Sequence, residues 1–291
     1  MEASDAASLP EAWEDVQSLL SDQQFDFIRK LAMDRAGIHL ADYKRNMVYR
    51  RISRRFRALG FSTTDEYCAL LTSQDGPDEI QGLVNALTTN KTEFFRESHH
   101  FDHLASTAVP ESLRFLEHSR SRRLRIWSAG CSSGQEPYSL AMTLLHNVAN
   151  IHHWDVRILA TDIDTDVLAK ASQGLVTADE IDLIPPLYRR KFIARAAGTT
   201  GQFRIADSIR DVVSFKPLNL HDSWPMQGPF DAIFCRNVVI YFDKATQCRL
   251  FDRFANILRT DSYIYLGHSE SLYRVTNRFR SIGQSIHQKI D

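Results

Sequence analysis

Between Ile126 and Met142 the chain reads IWSAGCSSGQEPYSLAM, an apolar run that passes through a loop of small residues into a helical pattern. A second short apolar run, Val156 to Thr161, leads into TDIDTD. Strand, tight glycine-containing loop, helix, strand and acid follow one another in the order used by open α/β sheets to build a site at their strands' carboxyl ends. There, loop amides approach a ligand closely and an acidic side chain takes the ribose hydroxyls. The pattern predicts a doubly wound, mostly parallel, Rossmann-like sheet with Asp162 as that acid. Gly130 and Gly134 match neither the G-x-G-x-x-G dinucleotide pattern nor the phosphate loop, which also needs a Lys before Ser or Thr. No pyrophosphate or triphosphate signature is present.

The same alternation continues on both sides. Leu124 to Ser128, Asp231 to Cys235 and Tyr263 to Gly267 are further strand candidates, with helices over Gln135 to Val148, Thr165 to Ser172 and Lys244 to Leu258. From Gly174 to Pro217 the rhythm breaks at Pro185-Pro186, Gly198 and Gly201. Strand-like runs follow at Gln202 to Ile205 and Val212 to Phe215, so a small β subdomain is expected at about 174–217. Before residue 90 only helices are expected. Phe25, Ile28, Leu31 and Ala32 share a face ahead of Gly37, a second helix runs from Asp42 to Leu59, Thr63 and Glu66 have capping-box spacing, and Pro77 opens a fourth. The expected organisation is an acidic tail over 1–20, an all-helical domain over 21–90 and an α/β domain over 91–291 carrying the inserted subdomain.

Charge excludes little. Thirty-five Lys and Arg face 36 Asp and Glu, so the net charge of −1 gives no reason to expect a general nucleic-acid or membrane binder. The four cysteines are scattered without a Cys-x-x-Cys pair, which reads as reduced thiols. The start, MEASDAASLP, has no basic stretch leading into an apolar core, and no run of about 18 apolar residues follows, so a cytoplasmic location is expected. Metal sites fail on spacing. Asp162, Asp164 and Asp166 do not begin a calcium loop, because Val167 stands where Gly is needed and Gln173 where the last acid belongs; Asp164 and Asp166 read as helix-start carboxylates. His99 and His103 lack a third convergent ligand.

Three blocks, LTTNKTEFFRE (87–97), WSAGCSSGQEPYS (127–139) and FDAIFCRNVVIYFDK (230–244), together with GHSES (267–271), resemble the chemotaxis receptor methyltransferases of the CheR family in order and spacing. The resemblance runs from about residue 20 to the end. It implies a class I S-adenosylmethionine-dependent methyltransferase fold with a helical N-terminal domain and a small antiparallel β subdomain. It also implies transfer of a methyl group to glutamate side chains of chemoreceptors, with S-adenosylhomocysteine as product. By matching position, Asn90, Thr92, Arg96, Glu136, Asp162, Asn219, Leu220, Arg236 and Asn237 would form the cofactor site, and Arg96 and Tyr241 would flank the transferred methyl. Where Glu often precedes the family's glutamate, this chain has Gln135. Phe94 and Phe95 are expected in the core.

The helix containing KRNMVYRRISRRFR places Val48, Ile52, Phe56 and Leu59 on an apolar stripe, Arg50, Arg54 and Arg57 on the opposite face, and Arg51 and Arg55 along a flank. With the resemblance, these arginines become candidates for docking the acidic, helical cytoplasmic region of a receptor. A receptor C-terminal tethering peptide would meet the subdomain around Ala196 to Ile205. A monomer that neither binds nucleic acid nor inserts into membrane is expected. A nucleic-acid methyltransferase would share the sheet, but CRNVVIYF stands where amino-nitrogen methylation commonly uses an Asn- or Asp-Pro-Pro-aromatic element. A cofactor sensor without turnover is disfavoured by Arg96 and Tyr241 together.

Overall fold

The computed structural model describes residues 20–196 and 201–291, so the expected acidic tail and the middle of the expected peptide-docking segment lie outside the described residues. By its contacts the chain forms two units, one comprising 20–32 and 40–87 and the other 33–39 and 88–291.

The first unit is helical. Its elements are α1 (Asp22–Ala36, whose last turn belongs to the second unit), α2 (Arg45–Ala58), α3 (Thr64–Thr72) and α4 (Gly76–Leu87). Thr63 and Glu66 form the expected capping box on α3, satisfying backbone donors that a helix start leaves unpaired. The core is made by Phe25 and Ile28 of α1, Val48, Ile52 and Phe56 of α2, Tyr67 of α3 and Leu83 of α4, all essentially unexposed. Leu59, expected at the end of the α2 stripe, is 40% exposed because α2 stops one residue earlier.

The second unit opens with α5 (His99–His103), a π-helical turn over Leu104–Ala108 and α6 (Val109–His118). It continues through β1 (Arg123–Ala129), α7 (Gln135–Asn147), β2 (Asp155–Asp162), α8 (Thr165–Gln173), β3 (Leu175–Thr177), α9 (Ala178–Asp182), α10 (Pro186–Phe192), β4 (Ile193–Arg195), β5 (Gln202–Ile205), α11 (Asp207–Arg210) and β6 (Val213–Pro217). It ends with β7 (Phe230–Cys235), α12 (Lys244–Ile257), β8 (Leu258–Leu266), β9 (Phe279–Gly283) and β10 (Ile286–Lys289). The main sheet has the order β6-β2-β1-β7-β8-β10-β9, parallel up to β8, with the last two strands antiparallel. From β1 the chain winds outward to β2 and β6, then returns to β7 and β8, so the switch point lies at the carboxyl end of β1 beside β7. Successive strand residues enter opposite cores: Leu124, Ile126 and Phe234 pack on one face, Trp127, Ala129, Ile233 and Cys235 on the other. A sheet covered on both faces favours continuous apolar strands, and Ala232–Cys235 of β7 supplies such a run, while β1 is apolar at Ile126, Trp127 and Ala129. Trp127 is fully buried, and its indole N–H donates to Thr161 Oγ1 at 2.9 Å.

The small antiparallel sheet is present, with order β3-β5-β4. One expectation is corrected. The run at 212–215 does not belong to it: β6 pairs in parallel with β2, Ile158 against Val213 and Asp162 against Pro217, at the edge of the main sheet. A short β-branched run fits either sheet locally, and the long-range parallel pairing decides. Consequently Leu218 and Asn219 emerge beside the end of β2, where Leu218 N–H donates to the Asp162 carbonyl at 2.9 Å.

Candidate active site

The loop after β1 turns tightly into α7. Gly130, Ser132 and Gly134 all have positive φ (86°, 50° and 98°), and a Cβ on Gly130 would meet Val238 Cγ2 at 2.3 Å, so only glycine lets the loop pass that close to the segment after β7. The amides of Gly130 and Cys131 both donate to the Thr161 carbonyl, tying the loop to the end of β2. Asp162 caps the arrangement: its Oδ2 accepts from Ser132 N–H at 2.7 Å and its Oδ1 from Asp164 N–H at 2.9 Å. It is 8% exposed, and burial pushes its carboxyl above the ordinary value despite those donors. The Ile163 amide is a third backbone donor to it, still fewer donors than a carboxylate has acceptor positions.

Asp164 does what a helix-start carboxylate does, accepting from the amides of Asp166 and Val167 at the head of α8. Its other oxygen accepts from Thr88 Oγ1 at 2.8 Å and Asn90 Nδ2 at 2.6 Å, and the Asn90 carbonyl accepts from Ser132 Oγ at 3.1 Å. Asn90 therefore lies against the β1 and β2 loops. No helix follows it, and the half-buried Thr92 lies in the irregular segment beyond.

Arg96 sits between Phe95 and Glu97, both with left-handed backbone (φ 54° and 56°). Its carbonyl accepts from Arg236 Nη2, and Nη1 donates to Lys91 O at 3.2 Å. Phe95 N–H donates to Ser139 Oγ on α7, and the Phe95 ring stacks on Tyr188 at 4.9 Å. Phe94 is buried. Arg236, 2% exposed, lies between two carboxylates: Nη2 is 3.1 Å from Glu97 Oε2 and Nη1 is 3.3 Å from Glu136 Oε2. Ser128 Oγ donates to the other Glu136 oxygen at 2.7 Å. Burial pushes the Glu136 carboxyl up, more than Arg236 and Ser128 pull it down. Burial also acts on Glu97, but donation from the His268 amide and ring and the Arg236 charge outweigh it and hold that carboxyl below its usual range. His100, buried and lowered to about 4 chiefly by desolvation, is neutral at pH 7, so its 3.5 Å approach to Glu97 is no ion pair.

Asn237 follows with φ 59°, and its N–H donates to Glu270 Oε2 at 2.9 Å. Glu270 also accepts from the amides of Gly267 at 2.7 Å, Val239 at 2.9 Å and Ile240 at 3.4 Å. Tyr241, half-buried, has its carbonyl fixed by the His39 amide at 3.0 Å. Asn219 spends its side chain on the Arg35 carbonyl and the His221 amide, and Leu220 is buried. Of the sequence-predicted residues, Asn90, Arg96, Glu136, Asp162, Arg236 and Asn237 thus gather around the carboxyl ends of β1, β2 and β7. Sequence reasoning missed Glu97, His268 and Glu270 as network members, although all three stand inside the recognised blocks.

The donor set fits S-adenosylmethionine. A buried carboxylate with spare acceptors stands at the end of β2, the loop main chain passes close to its neighbours, and 129–134 contains no Lys or Arg to meet phosphates. Among the described residues no cluster of His, Cys, Asp and Glu could hold a metal ion, and no helix is long and apolar enough to cross a membrane.

On α2 the five arginines divide. Arg50, Arg54 and Arg57 are exposed. Arg51 donates to the Leu87 carbonyl at 2.5 Å, and Arg55 makes a two-pronged pair with the buried Glu79, 2.8 and 2.6 Å. The Arg55 guanidinium lies over Gly82, where a Cβ would meet it at 2.5 Å. Arg51 and Arg55, expected as docking residues with the other three, thus each also reach a partner on α4 within the helical unit.

Two family profiles match the chain: CheR methyltransferase, all-alpha domain, over residues 23–88, and CheR methyltransferase, SAM binding domain, over residues 90–287. The chemotaxis protein methyltransferase of Escherichia coli (strain K12) is 42% identical over 271 residues, covering 92% of this chain and 91% of that protein. A probable chemotaxis protein methyltransferase of Rhizobium etli is 43% identical over 237 residues, covering 81% and 87%. Chemotaxis protein methyltransferase 2 of Pseudomonas aeruginosa is 42% identical over 267 residues, covering 91% and 92%. Among solved structures, a geranyl diphosphate methyltransferase in complex with GPP and sinefungin overlaps at a TM-score of 0.29 and 14% identity, over 50% of this chain and 38% of that one, too little to bear on function. With both domains matched and relatives alike over most of its length, the chain belongs to the CheR methyltransferase family, an all-α domain followed by a domain that binds S-adenosylmethionine.

Proposed function

We propose that the chain methylates glutamate side-chain carboxylates on the cytoplasmic helical region of chemoreceptors, yielding glutamyl methyl esters and S-adenosylhomocysteine for adaptation in chemotaxis. The observation that carries this reading is the state of the site's own carboxylates. Glu97, Glu136, Asp162, Asp164 and Glu270 each already accept at least two hydrogen bonds or charges, so each carboxylate is engaged in holding the site together. A site whose own carboxylates are all engaged suits a nucleophile that is ionised before it arrives, and a glutamate of pKa about 4.3 meets that condition at neutral pH.

Bound S-adenosylmethionine supplies an electrophilic methyl on a sulfonium. The chain's own work is orientation and exclusion of water. Arg96 has five N–H donors and gives one to Lys91 O, leaving a cation with a fixed main chain to orient the incoming carboxylate. Tyr241 offers a hydroxyl donor from a backbone held at its carbonyl. Asp162 holds the ribose, with Asn90, Thr92, Glu136, Asn219, Leu220, Arg236 and Asn237 shaping the remainder of the cofactor site. The exposed Arg50, Arg54 and Arg57 dock the acidic receptor helix. One copy of the chain suffices.

The test is transfer of a labelled methyl group from S-adenosylmethionine to a chemoreceptor cytoplasmic fragment, followed by mild alkali. Release of the label as methanol is expected. Alkali-stable label, or label in nucleic acid only, overturns the substrate. In the same assay Arg96→Ala and Tyr241→Phe lower turnover at saturating cofactor and receptor, Arg96→Ala by about 100-fold; full turnover in both sinks their assignment.

A further inference from the structure

The segment Gly267–Glu270 touches both loops that carry the proposed orienting groups. On one side, Glu97 Oε1 accepts from the His268 amide at 3.0 Å and from His268 Nδ1 at 2.9 Å. Glu97 adjoins Arg96, whose carbonyl is held by Arg236. On the other side, the Glu270 carboxylate is a template for four backbone amides, its own segment's Gly267 and those of Asn237, Val239 and Ile240, which lead directly to Tyr241. The ring closes through Arg236, which precedes Asn237 and binds Glu97. Phe95, Glu97 and Asn237 all hold left-handed backbone, a conformation that non-glycine residues keep only where their surroundings enforce it.

We propose that Gly267–Glu270 is a clasp, with His268 and Glu270 as positioning residues that fix the Arg96 loop against the Tyr241 loop through Glu97 and the Asn237–Ile240 amides. The inference rests on the reading that Arg96 and Tyr241 orient the substrate carboxylate. Each acts through the groups it binds, His268 through Glu97 and Glu270 through the loop amides. His268 acts by donating Nδ1–H to Glu97 from a ring that is 70% exposed, so the bond adds direction to Glu97 with little contribution to the core. Glu270 acts as an acceptor-only carboxylate. A carboxamide there would turn an N–H₂ group against backbone donors and lose at least one pair.

The experiment compares His268→Ala, His268→Asn and Glu270→Gln in the full chain by amide hydrogen exchange, cofactor affinity and methyl transfer to a chemoreceptor fragment. Asn places its side-chain N–H₂ near the position of Nδ1 and so keeps the donor. Expected for His268→Ala, at an unchanged Tm, are exchange about tenfold faster over residues 92–97, kcat lower by about tenfold at saturating cofactor, and weaker cofactor binding, since Thr92 and Arg96 lie in that stretch. His268→Asn returns both the exchange and kcat to within about twofold of the parent. Glu270→Gln speeds exchange over 237–241 and weakens cofactor binding as well, since Asn237 lies in that segment. The clasp is overturned if His268→Ala leaves exchange and kcat at the parent's values, or if His268→Asn is as slow as His268→Ala. Should the parent protein transfer no alkali-labile methyl, the substrate reading fails by itself, and the exchange data still decide whether the clasp exists.

Discussion

The guanidinium of Arg236 is 2% exposed and lies between Glu97 and Glu136, whereas Arg50, Arg54 and Arg57 on α2 face solvent. Arg51 and Arg55 take a middle course on the same helix, each reaching a partner on α4. In a low-dielectric setting a fixed cation holds two carboxylates and a neighbouring carbonyl in one geometry, and its removal leaves those groups without compensation. In solvent the same group contributes a screened potential that steers an acidic partner and adds little to stability. The two regions therefore separate two uses of arginine, construction and recognition, and substitutions should affect them in different observables.

The largest effect is expected at Arg236. Replacing it with Ala leaves Glu97 and Glu136, 11% and 13% exposed, without their shared cation, and should destabilise the second unit by about 3–5 kcal/mol in a denaturant titration. A loss below about 1 kcal/mol would mean the guanidinium does not compensate the two carboxylates. The sign with pH is fixed by Glu97. Its folded carboxyl is depressed, so its contribution is present above the ordinary carboxylate range and is lost as pH falls through the lower folded value. Protonation also relieves the unpaired acids of the variant, so the stability gap between parent and Arg236→Ala should narrow as pH falls through that range.

An intermediate effect is expected at Glu79, which is 6% exposed and accepts from Arg55 Nε, Arg55 Nη2 and Tyr67 Oη. Glu79→Gln keeps the shape, removes the charge and cannot serve both prongs of the Arg55 fork. A loss of about 2 kcal/mol in the helical unit should result, with methyl transfer at saturating receptor unchanged. If stability held and receptor KM rose instead, Arg55 would belong with the recognition arginines.

How much of this was legible depends on sequence separation. The strand, loop, helix, strand order over 126–162 could be read locally, because apolar runs, small residues and the terminal Asp162 lie within one supersecondary unit. Asp164 as a helix cap was legible for the same reason. The bonds from Glu97 to Arg236 and to His268 span 139 and 171 residues, and nothing in the local pattern marks such partners. The blocks that contain these residues were recognised, yet Glu270 carried no role until the four amides around it were seen. The sequence of β6 is compatible with the small sheet as well as the main one, because a short β-branched run does not encode which edge it joins. On α2, helical periodicity separated the exposed arginines from the flanking ones but could not reveal Glu79, 24 residues from Arg55.

The smallest effect, and the one that tests recognition directly, is expected from reversing charge at Arg54 and Arg57. Both are exposed, so Arg54→Glu and Arg57→Glu should change stability by no more than about 0.5 kcal/mol. Receptor KM should rise by several-fold for each change, with kcat and cofactor Kd unchanged, because a rim charge acts on encounter and leaves the reacting groups alone. Ionic strength supplies the internal control. Screening at about 8 Å in physiological salt weakens such steering, so the difference between parent and variants should be large at low salt and small at high salt. A KM shift that persists undiminished at high salt would indicate a desolvated contact in place of steering and would move these arginines towards the Arg236 class. No KM shift at any salt would leave the exposed face of α2 as a solvated surface and place receptor docking elsewhere on the chain.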